Sequence, residues 1–394
     1  PPSTDRTRPA LEQPASVPAT SATGSARQPR HILIVTPYFW PSVGGVETVA
    51  EDLAAGLIAS GMTVHVACYR HPDRRASTHR GIGIIELAEP EDSSDGMPRS
   101  ALQVEQLIAS NRYDACILLG SPMNAFFYAM LDLEDLKSRN IIFQPTLNQE
   151  GYRFIQERPV VLTLLKQLVK QTTAVVALGH DTLDARFCRE IGTPATIIPN
   201  GTPTLKPSGD FRQKHRIAED RFLIVHIANL YRVKNHPGLL TALNTLPPRA
   251  TLVVAGHPTH ETDYVAEVQQ ALAAHPDVLY IPGLDREGVA SAIQAANLVV
   301  LSSDSEVSPL CLLEAMSLKR PWLATPGCGT ANEHDAAALM DGDEMHHRVA
   351  HALITIDKNA GNVVEDAADA DHRQRDARDG RDPDRHPDVD EDRK

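Results

Sequence analysis

LVVLSSDSEVSPLCLLEAMSLKRPWLAT, residues Leu298–Thr325, places an apolar run, a polar loop and a second apolar-periodic run in direct succession. Leu298–Leu301 is four branched apolar residues bounded by serines and an aspartate, which reads as a parallel strand buried on both faces. The Ser/Asp cluster is its loop, and Pro309-Leu-Cys-Leu-Leu-Glu-Ala-Met opens a helix, because proline is tolerated in a first turn. Glu306 then sits in the loop and Glu314 about one and a half turns into the helix, so both carboxylates address the helix mouth. Unpaired N–H groups at that mouth favour phosphate, and carboxylates accept hydrogen bonds from hydroxyls. The combination suits a ligand that is both hydroxyl-rich and phosphorylated, as a nucleotide sugar is.

The same strand-loop-helix alternation extends outward. Upstream strands are expected at Phe222–Ile227, Ala250–Gly256 and Val278–Ile281, and an earlier series at His31–Thr36, Thr63–Cys68, Ala115–Leu119 and Ala174–Leu178, with helices at Val46–Ser60 and Ala101–Ser110. Between the two series, Ala195-Thr-Ile-Ile-Pro-Asn-Gly-Thr-Pro and Pro207-Ser-Gly crowd turn residues together and read as a hinge over 196–210. The expected fold class is α/β, with two Rossmann-like domains, 31–195 and 211–358, facing across a cleft at the carboxyl ends of both sheets. Residues 1–30, rich in Pro, Ser, Thr and Ala, are expected to be a disordered leader. Met345–Ile356 has helical patterning, but 359–394 is almost wholly Asp, Arg, Ala, His and Pro, and is expected to be a disordered charged tail.

With 394 residues, 42% of them hydrophobic, the chain can fill two cores of ordinary size. A formal charge of -13 argues against nucleic acid as a partner, since no basic face is strong enough to collect many phosphates. Five cysteines without a C-x-x-C pair fit a reducing compartment. No apolar run reaches the ~20 residues of a spanning helix, and the first thirty residues lack a signal-peptide core, so a cytoplasmic location is expected. Arg158–Lys170 (RPVVLTLLKQLVK) interleaves apolar residues with lysines. It is read either as a helix packed on the first sheet or as a peripheral contact with the inner face of the membrane.

Four segments carry a resemblance: TPYFWPSVGGVE (Thr36–Glu47), IIPNGT (Ile197–Thr202), IANLYRVKNH (Ile227–His236) and EVSPLCLLEAM (Glu306–Met316). Their order and spacing resemble the family 4 retaining glycosyltransferases of the two-domain GT-B type, over about His31–Thr330. Gly44 and Gly45 lie between a strand and a helix, where bare backbone can approach a phosphate. The resemblance puts this loop, with Trp40, beside donor and acceptor. It makes Lys234 the cation that neutralises the departing diphosphate, Glu306 the partner of the sugar hydroxyls and Glu314 the partner of the ribose. The family's usual arginine falls at Asn229, so Arg232 is the expected substitute. Because Pro309 has no N–H, the phosphate donors of the last segment are expected to be Leu310 and Cys311.

Two departures shape the remaining expectations. No histidine occurs between Arg80 and His180, where many family members carry one that contacts the donor sugar. Asn124, Gln144 and Asn148 are the expected replacements on the acceptor side. Lys319-Arg320 also stands before Pro321 where the family has a small residue and glycine. No metal or other cofactor is expected. Asp388-Val-Asp390 lies in the charged tail, and His346, His347 and His351 read as a polar helix face. Retention in the family needs no strong protein base, because the leaving phosphate takes the acceptor's proton.

The function implied is transfer of a sugar from a nucleotide-sugar donor to a saccharide, lipid-linked or small-molecule acceptor with retention. The alternative is a catalytically impaired relative that binds nucleotide or sugar, or scaffolds other transferases. An epimerase on the same fold fits the glutamate spacing and the GGVE loop less well.

Overall fold

The computed structural model describes residues 31–88, 96–110, 112–120, 139–243, 249–328 and 338–339. The first sheet contains β1 (His31–Val35), β2 (Thr63–Tyr69), β3 (Thr78–His79), β4 (Ile82–Leu87), β5 (Ala115–Leu119), β6 (Ile141–Gln144), β7 (Ala174–Ala177) and β8 (Thr196–Ile197), in the order β3-β4-β2-β1-β5-β6-β7-β8. Only the β3–β4 pair is antiparallel among its described pairings. The second sheet is all parallel, β11-β10-β9-β12-β13-β14, from β9 (Phe222–Ile227), β10 (Ala250–Ala255), β11 (Val278–Ile281), β12 (Leu298–Leu301), β13 (Trp322–Ala324) and β14 (Ala338–Leu339).

Period-2 alternation divides each central strand between two cores. Leu223 and Val225 of β9, with Val299 and Leu301 of β12, enter one cluster, while Ile224, Leu298 and Val300 enter the cluster on the opposite face. In β1, Leu33 and Val35 face one core and Ile32 and Ile34 the other. Both faces are covered, as an unbroken run of branched residues requires. The paired-Rossmann expectation therefore holds. Thr196 and Ile197, read above as hinge, extend the first sheet beside β7.

The strand order positions the site. In each sheet the chain runs outward from a central strand in both directions, so the loops after β1 and β5, and after β9 and β12, diverge and leave a crevice at the switch point. The glycine loop follows β1, the Lys234 turn follows β9 and the Glu306 loop follows β12. Gly256, after β10, lets its loop run against the start of the Lys234 loop: a Cβ there would overlap the Ala228 carbonyl.

Helix Pro159–Gln171 spends its apolar stripe on the first core, burying Val161, Leu165, Leu168 and Val169. Lys170 and Val160 stay outside, the latter 71% exposed. This is the packed-helix reading. Among the described residues no helix is long and apolar enough to cross a membrane. The free thiols of Cys68, Cys116, Cys188 and Cys328 are buried and that of Cys311 half-buried. The expectations for residues 1–30, Met345–Ile356, the three histidines at 346–351 and the 359–394 tail lie outside the described residues.

Candidate active site

The glycine loop leaves β1 with its aromatics pointing different ways. Tyr38 is 54% exposed and lines the cleft, whereas Phe39 is buried in the first domain. Trp40 stacks on the His79 ring, with centroids 4.6 Å apart and planes 12° from parallel, and packs against the core. This corrects the acceptor-side expectation for Trp40, whose indole finds its apolar partner in the domain body and is absent from the cleft wall. The loop is propped from beneath by buried Arg74. Its guanidinium donates to the carbonyls of Trp40 (2.7 Å), Tyr69 (3.0 Å) and Phe39 (3.2 Å) and to Glu86 Oε1 (3.1 Å). Gly44 caps helix Gly45–Ala59, and the Glu47 carboxylate folds back over it into the space a Cβ would take. Gly45 has open space where its Cβ would be, so its backbone can be approached from the cleft. Burial raises the Glu47 carboxyl above its ordinary pKa.

Opposite, Arg232–Lys234 form a 3-10 turn that Asn235 ends in the left-handed region, at φ 50°. The turn is sewn to the β12 loop. Ser302 Oγ donates to the Lys234 carbonyl (2.8 Å), and the Asp304 N–H donates to the Val233 carbonyl (2.8 Å). That stitching brings the Lys234 ammonium onto Glu306 Oε1, an ion pair with side-chain exposures of 21% and 13%. The Glu306 N–H donates to the Gly327 carbonyl at 2.7 Å, fixing the carboxylate's stem. Helix Leu310–Ser317 opens onto the same space from Pro309, with Leu310 and Cys311 in the wall. The Leu312 and Leu313 N–H groups bond back to the Pro309 carbonyl (3.2 and 3.4 Å), and those of Leu310 and Cys311, ahead of them, have no earlier carbonyl of the helix to reach. Glu314 also lines the cleft; burial pushes its carboxyl up to about 7 against the opposing charge of Arg286.

Two expected donor-side residues line the cleft with their side chains already engaged. Arg232 lines the cleft, but its guanidinium reaches Glu267 Oε2 at 3.1 Å and lies 4.8 Å from the Tyr264 ring centroid. Asn229 crosses between domains: its amide donates to the Val43 carbonyl (2.9 Å), and its side-chain oxygen accepts from the His257 N–H (3.0 Å). In this chain that position joins the two walls.

The acceptor-side wall is built by the loop after β6. Asn148 lines the cleft, yet its side chain is occupied in capping helix Gln149–Gln156, accepting from the Gly151 N–H at 2.8 Å. Gln144 stays outside the wall and accepts the Gly120 N–H through its carbonyl (2.8 Å), and Asn124 lies outside the described residues. Thr146, at φ 54°, is held beside fully buried Asp184, whose Oδ1 accepts the Leu147 N–H at 2.5 Å. Arg153 and Phe154 complete this side. The histidines of the cleft, His257 and His260, both come from the second domain.

The cleft, open on one side, holds about 1290 Å³, more than a typical small-molecule pocket of roughly 300–1,000 Å³. It has room for two substrates. Besides the Asn229 bond, the domains are joined by Gln149 N–H to Ser305 Oγ (2.9 Å) and by Arg286 to Asp52 (2.7 and 2.8 Å). Sequence reasoning did not find Arg74, Asp184, Asp52 or Arg286, because each acts through a partner remote in the chain. Among the described residues, no three His, Cys, Asp or Glu side chains are grouped to hold a metal ion.

Comparison with known proteins agrees with this geometry. The family described as Glycosyl transferase 4-like domain matches residues 44–201, and the family described as Glycosyl transferases group 1 matches residues 208–338. N-acetyl-alpha-D-glucosaminyl L-malate synthase from Bacillus anthracis is 21% identical over 296 residues, covering 73% of this chain and 77% of its own length. Among solved structures, sucrose-phosphate synthase from Thermosynechococcus elongatus superposes with a TM-score of 0.70 at 16% identity, covering 86% of this chain and 94% of that one. HepE from Anabaena, in complex with UDP-glucose, gives 0.67 at 18% identity over the same shares. The two family matches, which divide at the hinge and together span most of the chain, establish that it belongs to the family 4 glycosyltransferases, and the shared architecture is the GT-B fold.

Proposed function

We propose that the chain moves a sugar from a nucleoside-diphosphate donor to an acceptor hydroxyl with retained anomeric configuration. The observation that carries this reading is the Lys234–Glu306 pair beside the opening turn of helix Leu310–Ser317, with Glu314 farther along the same helix. Lys234 and that helix mouth face the negative charge that develops on the leaving diphosphate, which is where electrostatic stabilisation lowers a transfer barrier most. Glu306 accepts hydroxyls of the transferred sugar, and Glu314 those of the ribose. The bond from the anomeric carbon to the diphosphate oxygen breaks, and a bond to the acceptor oxygen forms on the same face. The acceptor's proton passes to the departing diphosphate. In this scheme the developing charge is met by protein groups and needs no metal.

The acceptor enters along Tyr38, Thr146, Asn148, Arg153 and Phe154. Arg153 gives this wall a cation, which favours an acceptor with an anionic group, and the curated relative is by its name a malate glycoside synthase. Saccharide and lipid-linked acceptors are the other members of the test panel.

The test is release of nucleoside diphosphate from a panel of UDP-, GDP- and ADP-sugars, with and without malate, free saccharide or a lipid-linked saccharide. The anomeric configuration of the product is read by NMR. Product of retained configuration supports the proposal; an inverted product, or no release from any donor, overturns it.

A further inference from the structure

Arg286 stands at the first position of helix Arg286–Ala295, in the wall of the cleft with Leu284, Val289 and Glu314. Its fork closes on a carboxylate of the other domain. Nη1 lies 2.7 Å from Asp52 Oδ1 and Nη2 2.8 Å from Asp52 Oδ2, across 234 residues of chain. A parallel two-bond pair holds geometry more tightly than a single contact, because both planar groups must align. Asp52 itself projects from helix Gly45–Ala59, the helix whose start carries the glycine loop, and is absent from the cleft wall. The pair therefore fixes that helix against the element carrying Glu314's neighbour. The other two bonds between domains use a backbone carbonyl or N–H, so this is the described interdomain contact made by side chains alone.

We infer that Asp52 and Arg286 form an interdomain clasp that holds the cleft in its closed, donor-binding geometry. Both are positioning residues, and the inference rests on the transferase reading. Closure brings the glycine loop to the Lys234 turn, so the fraction of molecules held closed multiplies the apparent affinity for a nucleotide that touches both walls. Without the clasp the two bonds that join a side chain to a backbone group remain, and the domains part more often. Both side chains are about one-third exposed, which limits the effect to roughly twofold to fivefold in apparent affinity.

Asp52→Asn is the informative variant, since it removes the charge without altering the cleft wall. Asp52→Glu, Arg286→Gln and the Asp52→Asn/Arg286→Gln double variant complete the set. Calorimetry with UDP, GDP and ADP gives the affinity of the nucleotide that binds wild type best, and small-angle X-ray scattering gives the radius of gyration without nucleotide. The clasp predicts roughly twofold to fivefold weaker nucleotide binding and a larger radius for Asp52→Asn, partial recovery in Asp52→Glu, and no further expansion in the double variant beyond Arg286→Gln. Where a transferred product is detected, donor KM rises while kcat changes less. Unchanged affinity and radius in Asp52→Asn, or expansion that adds in the double variant, overturns the clasp. The scattering result stands even where no donor is turned over, so a failed function assignment and a failed clasp are told apart.

Discussion

Ser303 Oγ lies 2.6 Å from Glu306 Oε1, the same oxygen that receives the Lys234 ammonium. One carboxylate oxygen thus takes two donors. Lys234→Ala removes the cation and leaves a mostly buried carboxylate without its partner, and Glu306→Gln weakens both bonds while keeping the shape. Each is expected to lower turnover of the accepted donor by about a hundredfold or more, as loss of a preorganised electrostatic group does. Lys234→Ala is also expected to cost about 1–3 kcal/mol of stability. Steady-state kinetics beside urea unfolding checks both; variants that retain wild-type kcat/KM would remove the pair from the reaction.

The support beneath the glycine loop gives the second prediction. Arg74 satisfies three carbonyls and Glu86 from a buried position, so Arg74→Met strands those acceptors. The expected loss is about 3 kcal/mol of stability. Donor KM is also expected to rise, since the loop that Arg74 braces bears Gly44 and Gly45. Urea unfolding followed by circular dichroism measures the first effect, and a shift below about 0.5 kcal/mol would show that the loop is held by its other contacts.

These two groups of residues differ in how far they could be read from the chain. Leu298–Leu301 and Phe222–Ile227 announce themselves as strands because a fully buried strand must be apolar on both faces, and parallel strands place the loops that follow them at the same carboxyl edge of the sheet, around one crevice. Lys234 and Glu306 lie in those loops and do meet. Arg232, two residues from Lys234, does not join them. Sequence spacing places a residue in a turn but leaves its direction to tertiary partners, here Glu267 and the Tyr264 ring. Trp40 and Asn148 follow the same rule, one drawn inward by His79 and the other recruited as a helix cap. Arg74 and Asp184 were illegible because nothing local distinguishes a buried ionisable group whose hydrogen-bond partners lie in another loop.

Asp184 yields a prediction about pH. Burial pushes its carboxyl from an ordinary 3.8 up to about 7, although the Thr146 and Leu147 amides favour the ionised form. The folded state therefore holds a proton that the unfolded chain gives up, so this group's contribution to stability falls as pH rises from about 4 to 7. Asp184→Asn keeps an oxygen for the Leu147 N–H and never ionises. Relative to wild type, the variant is expected to gain stability between pH 4 and pH 7 and then hold that difference at higher pH. Urea midpoints for both proteins at pH 5, 6, 7 and 8 decide it. A difference that stays constant with pH would mean that Asp184 titrates at its ordinary value.

His226 and His236 carry the opposite sign. Their rings meet edge to face at 4.9 Å in the second domain, where His226 Nδ1 lies 2.9 Å from the Val300 carbonyl and the His236 N–H donates to the Tyr264 hydroxyl at 2.9 Å. Burial lowers their pKa from an ordinary 6.5 to about 4 for His226 and about 3 for His236, with the nearby Lys234 charge adding to the effect. Unfolded chain takes up both protons as pH falls below 6.5, while the folded protein refuses them until the depressed values are reached. Stability is therefore full above pH 6.5 and declines toward pH 4, by up to about 1.4 kcal/mol per pH unit for each ring. His226→Leu removes one of the two titrations and gives up the Val300 bond, so it starts less stable at pH 7.5. Its loss between pH 7.5 and pH 5 should be smaller than wild type's by about 2 kcal/mol. Chemical unfolding at those two pH values measures the difference directly, and parallel declines in the two proteins would show that His226 is protonated in the folded state.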